Sequence, residues 1–115
     1  MNWLEDAFWS ARVAQLASSE GKDGRAALIV RRGRVIAEAI QDRGAPELVA
    51  IARATPRAHG ATLYLAHAPD ALAIDLARRA RVGRIVLGAG VWLEARTALA
   101  WERSGIRIDR IAAAA

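Results

Sequence analysis

Apolar and polar residues alternate along the chain with two spacings, one typical of helices and one of strands. Over residues 3–19 the apolar positions follow the spacing of an amphipathic helix, namely Leu4, Ala7, Phe8, Ala11, Ala14 and Ala17. Turn residues over 18–24 end this pattern. Two β-rich apolar runs follow, 26–30 and 35–40, separated by a turn that contains Gly33. This arrangement predicts a hairpin after the first helix.

The second half of the chain alternates between the two patterns. Pro46 fits the first position of a helix, where its missing N–H costs nothing, and Pro69 is predicted to start a helix for the same reason. The predicted elements are helix 46–54, strand 61–66, helix 69–81, strand 84–87, helix 92–103 and strand 106–111, with 112–115 as a frayed tail. A hairpin followed by alternating helices and strands predicts an α/β fold, a mixed sheet with helices on both faces.

Length and composition fit a single domain. A chain of 115 residues can bury one core of ordinary size, so we expect one domain over 1–115. The sequence has no cysteine, which excludes disulfides and thiolate metal ligands. No apolar run approaches the ~18–20 residues of a membrane span, and the acidic start lacks the basic region of a signal peptide. We therefore expect a cytoplasmic protein with no membrane partner.

Arginine supplies nearly all of the positive charge. The net charge is +5, and all of the 17 basic residues except Lys22 are arginines. Arginine binds phosphates through planar bidentate contacts, so an arginine-rich RNA-binding module is one interpretation. The basic residues are spread along the chain and form no run, so the compositional bias of a GC-rich genome is the other.

Residues 62–73 carry a motif that suggests a particular chemistry. They read Thr-Leu-Tyr-Leu-Ala-His-Ala-Pro-Asp-Ala-Leu-Ala. This segment resembles the zinc-binding segment of the nucleoside and nucleobase deaminases, Thr-Leu-Tyr-Val-Thr-Leu-Glu-Pro-Cys-x-x-Cys, with Asp70 and Ala73 at the two cysteine positions. Upstream, where that family carries His-Ala-Glu at a helix start, this chain has Ala45-Pro46-Glu47.

The resemblance extends over nearly the whole chain, from about residue 3 to residue 110. Residues 25–41 match the family's first hairpin, and 81–88 match its Gly-Ile-x-Arg-Val-Val-x-Gly segment. The chain thus resembles the superfamily of cytidine, deoxycytidylate and tRNA-adenosine deaminases, and also the pyrimidine deaminase of riboflavin synthesis. The resemblance implies a cytidine deaminase-like fold, a three-layer α/β/α sandwich around a five-stranded mixed sheet. It also implies that the helices near Pro46 and Pro69 start at one shared cavity.

The residues that would carry deaminase chemistry are largely replaced. A hydrolytic deaminase holds zinc with three protein ligands and uses a glutamate to move the protons of the metal-bound water. The resemblance assigns the ligand positions to Ala45, Asp70 and Ala73. Alanine has no donor atom, and one carboxylate does not hold zinc by itself. We therefore expect no metal and no other cofactor, in a catalytically inactive protein that acts as a binding or regulatory module.

Several residues keep other functions open. Glu47 matches the family's glutamate and is the one candidate catalytic residue, for a divergent nucleoside or pyrimidine deaminase or another hydrolase. His67, Asp70 and Glu47 would form a rebuilt metal site if they converged. Glu47 and Asp70 also have a local role, because carboxylates favour helix starts. Gln41 matches a ribose-contacting asparagine, so a vestigial pocket for a nucleoside-like molecule is predicted from Gln41, Glu47, His67 and Asp70, with His59 at the opposite end of the fold.

Four tryptophans remain to be explained. Trp3 and Trp9 fall on the first predicted helix, and Trp92 and Trp101 on the last. They do not interleave with arginine on one surface, so core or subunit contacts are favoured over stacking with bases. The resemblance favours a homodimer.

Overall fold

The structure, a computed structural model, describes residues 3–19, 25–40 and 45–111. Its elements are α1 (Trp3–Ser19), β1 (Ala26–Arg31), β2 (Arg34–Ile40), α2 (Pro46–Ala54), β3 (Thr62–Leu65), α3 (Ala71–Arg79), β4 (Arg84–Leu87), α4 (Ala95–Ser104) and β5 (Arg107–Arg110). They follow the predicted order. Two predicted helix starts are wrong, because α3 begins after Pro69 and α4 begins after Trp92. The predicted tail 112–115 lies outside the described residues.

The strands form one five-stranded mixed sheet in the order β2-β1-β3-β4-β5. β1 is antiparallel to both β2 and β3, whereas β3, β4 and β5 are parallel. Val30 pairs with Thr62, Thr62 with Arg84, and Arg84 with Arg107. The β1–β2 turn and the starts of the three parallel strands therefore lie together, and we call this the hairpin end of the sheet. The segment that leads from β3 to α3 lies at the other end.

Helices cover both faces of the sheet, which gives the predicted three layers. On one face, Val13 and Leu16 of α1 pack against alternate β1 residues such as Leu28. On the other face, the intervening β1 residues such as Ile29 pack with α2, α3 and the fully buried Trp101 of α4. The α/β/α prediction is confirmed. Among the described residues, no helix combines the length and the apolar character needed to cross a membrane.

The predicted apolar face of α1 is wrong. Leu4 and Phe8 were expected in the core, but they are 62% and 56% exposed. The buried face instead carries Asp6 and Ser10 in addition to the apolar side chains further along the helix. The physical reason is a polar contact that spacing alone does not reveal, because the carboxylate of Asp6 faces the sheet and binds two of its side chains.

Asp6, Tyr64, Arg84 and Asp109 form a largely buried network that ties α1 to β3, β4 and β5. The Tyr64 hydroxyl donates to Asp6 Oδ1 at 2.7 Å, and Arg84 donates to both Asp6 oxygens and, through Nε, to Asp109 at 2.6 Å. The hydrogen bond with Asp6 is the largest effect that raises the pKa of Arg84 above its ordinary value. Burial raises the pKa of Asp6, but hydrogen bonds from Arg84 and Tyr64 outweigh it and leave the pKa below its ordinary value. The network therefore holds its charges ionised.

Replacement of the central guanidinium tests this network. We expect Arg84→Met to lower the free energy of unfolding by about 3 kcal/mol, because it leaves the buried Asp6 carboxylate without its cation. Solvent screens this pair only weakly, since both side chains are largely buried. Chemical denaturation followed by circular dichroism measures the change. The matched control is Arg103→Met at an exposed position of α4, expected to change stability by less than about 0.5 kcal/mol. Equal losses in the two variants would contradict the proposed importance of the network.

Candidate functional site

Glu47 sits in the first turn of α2 with its side chain fully buried. Ala45 has an extended backbone, with φ −61° and ψ 128°, and Pro46 occupies the start of the helix as predicted. A proline there is compatible with the helix because the first N–H groups have no intrahelical acceptor. This local geometry places the Glu47 carboxylate inward, where its exposed fraction is 0%. A buried carboxylate needs partners in the protein.

His67 is the main partner of Glu47. It follows β3, and its Nε2 lies 2.7 Å from Glu47 Oε2. The His67 side chain is only 8% exposed, so the contact is shielded from solvent. An ionised carboxylate only accepts hydrogen bonds, so in that state Nε2 carries the hydrogen and donates it. The contact brings Glu47 and His67 together, and their role in a ligand-binding pocket stays a prediction.

Arg25 is a third member of the site, and sequence reasoning missed it. Its Nη2 lies 3.9 Å from Glu47 Oε1. The signal lies in the pairing of β1 with β3, where Ala27 pairs with Leu65 in antiparallel register. Continuing that register outward sets Arg25 opposite His67, just beyond the ends of both strands. A β1–β3 pairing inferred from the resemblance would therefore have identified it.

Three buried polar atoms of this site have no hydrogen-bond partner among the described residues: Glu47 Oε1, His67 Nδ1 and Arg25 Nε. Leaving a buried donor or acceptor unpaired costs about 1–3 kcal/mol. Such atoms are rare in folded proteins, and where they cluster they mark a place for water, an ion or a ligand. If His67 is neutral with its hydrogen on Nε2, the free atoms comprise two acceptors and one donor; if His67 is protonated, Nδ1 is a second donor.

Asp70 does not join this site. It was placed in the first turn after Pro69, but it is instead the N-cap of α3, and its Oδ1 accepts from the Ala73 backbone N–H at 3.0 Å. A short side chain with an oxygen acceptor satisfies one of the free N–H groups of a helix start, which explains the position. The Asp70 side chain is exposed, while Ala73 is buried.

The residues present do not fit a zinc ion. Of the three positions that the resemblance assigns to ligands, Ala45 and Ala73 have no donor atom and the Asp70 carboxylate caps a helix. Within residues 3–19, 25–40 and 45–111, no group of three or more His, Cys, Asp or Glu side chains could hold a metal ion. Zinc sites in proteins take three or four protein ligands. The rebuilt site of His67, Asp70 and Glu47 therefore does not form among these residues.

The remaining candidate residues are dispersed. Gln41, predicted to contact a ribose, lies outside the described residues. His59 is exposed in the turn before β3, at the hairpin end and away from Glu47, as expected. Trp101 is fully buried, as a core tryptophan should be. Trp92 is 73% exposed and lies beneath the Arg110 guanidinium at 4.7 Å from the ring centroid.

The other two tryptophans belong to α1. The ring of Trp9 stacks on Phe8 at a centroid distance of 4.7 Å. The side chain of Trp3 lies outside the described part of the structure. Trp9 is partly buried and also packs against the core on the α1 side of the sheet. Among the described side chains, Trp101 therefore makes core contacts and Trp9 makes them in part.

Solved structures of deaminases share this fold. RibD from Acinetobacter baumannii superposes with a TM-score of 0.78 at 18% identity, and the match covers 92% of this chain but only 35% of RibD. The dCMP deaminase of cyanophage S-TIM5, solved with dCMP and dUMP, matches with a TM-score of 0.76 at 14% identity over 96% of this chain and 99% of that enzyme. A structure from work on A-to-I editing by tRNA:A34 deaminases matches with a TM-score of 0.66 at 18% identity, over 94% of this chain and 99% of that one.

These similarities establish the fold. No protein-family model and no curated protein matches the sequence. At identities below 20%, shared architecture does not carry substrate or activity with it. The chain has the cytidine deaminase-like fold, and its function must be argued from the side chains of the site.

A double-mutant cycle tests the Glu47–His67 contact. Glu47→Ala and His67→Ala should each destabilise the protein, and the pair should show a coupling energy of about 1–3 kcal/mol, because either substitution removes the same buried hydrogen bond. Urea denaturation of the four proteins measures it. The control cycle combines Glu47→Ala with Asp70→Ala, which removes only the α3 cap and should be additive within about 0.5 kcal/mol. Additivity in both cycles would contradict the contact.

Proposed function

We propose that this chain is a zinc-free, single-domain protein with a deaminase fold that does not catalyse hydrolytic deamination and acts as a binding or regulatory module. The observation that carries the proposal is the 2.7 Å contact between Glu47 and His67. It occupies the carboxylate that a deaminase would use to move protons. Ala45 and Ala73 supply no ligand to hold a metal-bound water beside it.

The chemistry supports loss of the hydrolytic reaction. Deamination requires a water whose pKa is brought near neutrality by zinc, with a glutamate that shuttles its protons. Without a metal-bound water, an ionised Glu47 has no source for the proton that the deaminase glutamate takes up and passes on. Its complete burial and its pairing with His67 fit a structural or ligand-binding role. That pairing offsets part of the cost of burying the carboxylate, and a ligand that satisfies the remaining polar atoms would offset more of it.

The free polar atoms of the site define the ligand that we propose. In the neutral His67 tautomer with its hydrogen on Nε2, Glu47 Oε1 and His67 Nδ1 accept hydrogen bonds and Arg25 Nε donates one. A planar molecule with N–H donors next to a carbonyl acceptor complements this set, as the edge of a nucleobase does. Because Glu47 is fully buried, such a ligand reaches these atoms only when the surrounding segment opens. A nucleoside-like small molecule is therefore the proposed ligand.

A homodimer is also part of the proposal. Leu72 of α3 and Leu99 of α4 are 61% and 46% exposed, and α3 packs beside α4 on the same face of the sheet. Trp92, just before α4, adds a large exposed ring. Exposed apolar side chains on neighbouring helices are typical of subunit contacts. Sedimentation velocity at micromolar concentration tests this, and a strictly monomeric protein would contradict it.

A metal-independent enzyme is the second candidate. The Glu47–His67 pair resembles the arrangement in which a carboxylate orients a histidine base, and this gives the candidate a specific observation in its favour. It would use Glu47 in a hydrolysis of a related heterocycle. Turnover that is present in the parent protein and absent from Glu47→Gln would favour this candidate over the binding module.

Ligand-dependent stabilisation is the direct test of the binding module. A thermal-shift panel of nucleobases, nucleosides, nucleotides and riboflavin-pathway pyrimidines should contain a compound that raises the melting temperature. At 100 times its dissociation constant, a ligand adds about 2.7 kcal/mol to stability. The shift should be lost in Glu47→Gln but kept in the control Asp70→Ala, and no compound should be deaminated. A flat response, or deamination of cytidine or adenosine, would contradict the proposal.

A further inference from the structure

Five arginines without a polar partner among the described residues lie at the hairpin end of the sheet. Most other arginines make polar contacts: Arg53 donates to a backbone carbonyl, Arg78 and Arg79 bind Asp75, and Arg84 and Arg107 bind Asp109. Among the described residues, the other arginine side chains, apart from Arg25 beside Glu47, make no hydrogen bond or ion pair. Four of them lie elsewhere, namely Arg12, Arg96, Arg103 and Arg110, of which Arg110 packs on the Trp92 ring. The remaining five, Arg31, Arg32, Arg34, Arg57 and Arg81, lie at or beside the β1–β2 turn or in the loops before β3 and β4.

Three chain segments bring these arginines together. The turn from Arg31 to Arg34 caps the hairpin. The loop that carries Arg57 is bonded to the loop that carries Arg81, because the Gly60 N–H donates to the Arg81 carbonyl at 2.8 Å and the Gly83 N–H donates to the Ala61 carbonyl at 2.9 Å. Pairing of Val30 with Thr62 places the hairpin turn beside these loops. The result is one arginine-rich surface.

Helix dipoles do not account for this surface. Basic residues in the last turns of α2, α3 and α4 complement the negative ends of those helices, and Arg53, Arg79 and Arg103 are of this kind. The hairpin arginines belong to no helix. No acidic side chain of the described residues pairs with this cluster, and a surface of one charge sign attracts ligands of the opposite sign.

Two of these arginines hold backbone conformations that favour other residues. Among the described residues, the non-glycine positions with positive φ are Arg32, at 53°, and Arg81, at 60°. The left-handed region disfavours side chains with a Cβ, and asparagine or glycine usually takes such positions in turns and after helices. Both exceptions are arginines of the same surface. An unfavoured backbone conformation at two arginines of one surface is a structural reason to look for a use of their guanidinium groups.

A cavity of about 520 Å³ opens beside Arg31 and Arg32, and its floor is formed by Tyr64 and Arg84. The Arg84 guanidinium is bonded to Asp6 and Asp109, and Arg107 also binds Asp109, so two cations and two carboxylates balance here. Asp6 and Glu5 are the acidic residues of the lining; Asp6 is bonded to Arg84, and Glu5 has a contact of its own. The free cations therefore outnumber the free anions around this opening.

We propose that the arginine-rich surface at the hairpin end binds the phosphodiester backbone of a nucleic acid. Guanidinium groups spread over three adjacent segments suit a chain of phosphates better than one compact anion. The surface has no row of exposed aromatic rings among the described residues, so it reads the backbone and not the bases. It lies at the opposite end of the sheet from Glu47 and is independent of the function proposed for that site.

The test replaces Arg32 and Arg81, because their left-handed backbone conformations favour asparagine or glycine over arginine. Arg32→Asn and Arg81→Gly together should keep or raise the melting temperature while removing two guanidinium groups that bind phosphates. The control, Arg12→Ala with Arg96→Ala, removes the same charge from exposed positions on α1 and α4. Fluorescence anisotropy with a single-stranded RNA of about 20 nucleotides, between about 50 and 200 mM salt, gives the affinity and its salt dependence.

The parent protein should bind this RNA with an affinity that falls as salt rises. The variant Arg32→Asn/Arg81→Gly should bind about tenfold more weakly at low salt, and its log–log salt slope should shrink by about 1.4, because each phosphate that an arginine neutralises on a single strand adds about 0.7 to the slope. The control should stay within about twofold of the parent. An equal loss of affinity in the control, or no salt-dependent binding, would overturn the proposal. Stabilisation by inorganic phosphate or a nucleoside monophosphate without RNA binding would also overturn it, in favour of a small phosphorylated ligand.

Discussion

The need to compensate a fully buried carboxylate governs the functional end of this structure. Glu47 is directed inward by the first turn of α2, and its charge cannot be left alone in a low-dielectric interior. His67, at the end of β3, and Arg25, just before β1, supply the compensation. Three segments that are distant in sequence are therefore drawn to one point. In the deaminases a metal site serves as such a meeting point, and here the side chains themselves do.

At the hairpin end of the sheet, a second buried carboxylate, that of Asp6, is compensated by a different set of side chains. Asp6 is buried against the sheet, and Arg84 and Tyr64 bind it so completely that its pKa is held below the ordinary value. The interior of that end is neutral, while its outer loops carry cations without partners among the described residues. At the Glu47 end the unpaired polar atoms are inside, whereas at the hairpin end they face solvent. The first arrangement suits a small enclosed molecule, and the second suits an extended polyanion.

Local sequence signals predicted the bounds of two elements at residues that restrict the backbone by themselves, although the same signal at Pro69 gave a wrong helix start. Helix 46–54 and strand 84–87 were predicted at the observed bounds, since Pro46 marks the helix start and Gly83 and Gly88 flank the strand. The face of α1 was wrong because spacing counts apolar residues, whereas its orientation is set by the contact of Asp6 with Arg84 across the sheet. Capping by Asp70 was missed because Pro69 offered an equally good helix start. The Glu47–His67 contact was within reach only through the resemblance, and Arg25 required the strand register.

Restoring the ligand set tests the central claim, that a deaminase fold is present whose metal positions have been replaced. One variant combining Ala45→His, Asp70→Cys and Ala73→Cys would be purified beside the parent, dialysed against zinc and then buffer, and analysed for metal by mass spectrometry. We predict about one tightly bound zinc per chain in the variant, since three ligands with an open fourth position suffice, and none in the parent. A variant that holds no more zinc than the parent would mean that these positions do not converge. A parent that itself holds one equivalent would contradict the account directly.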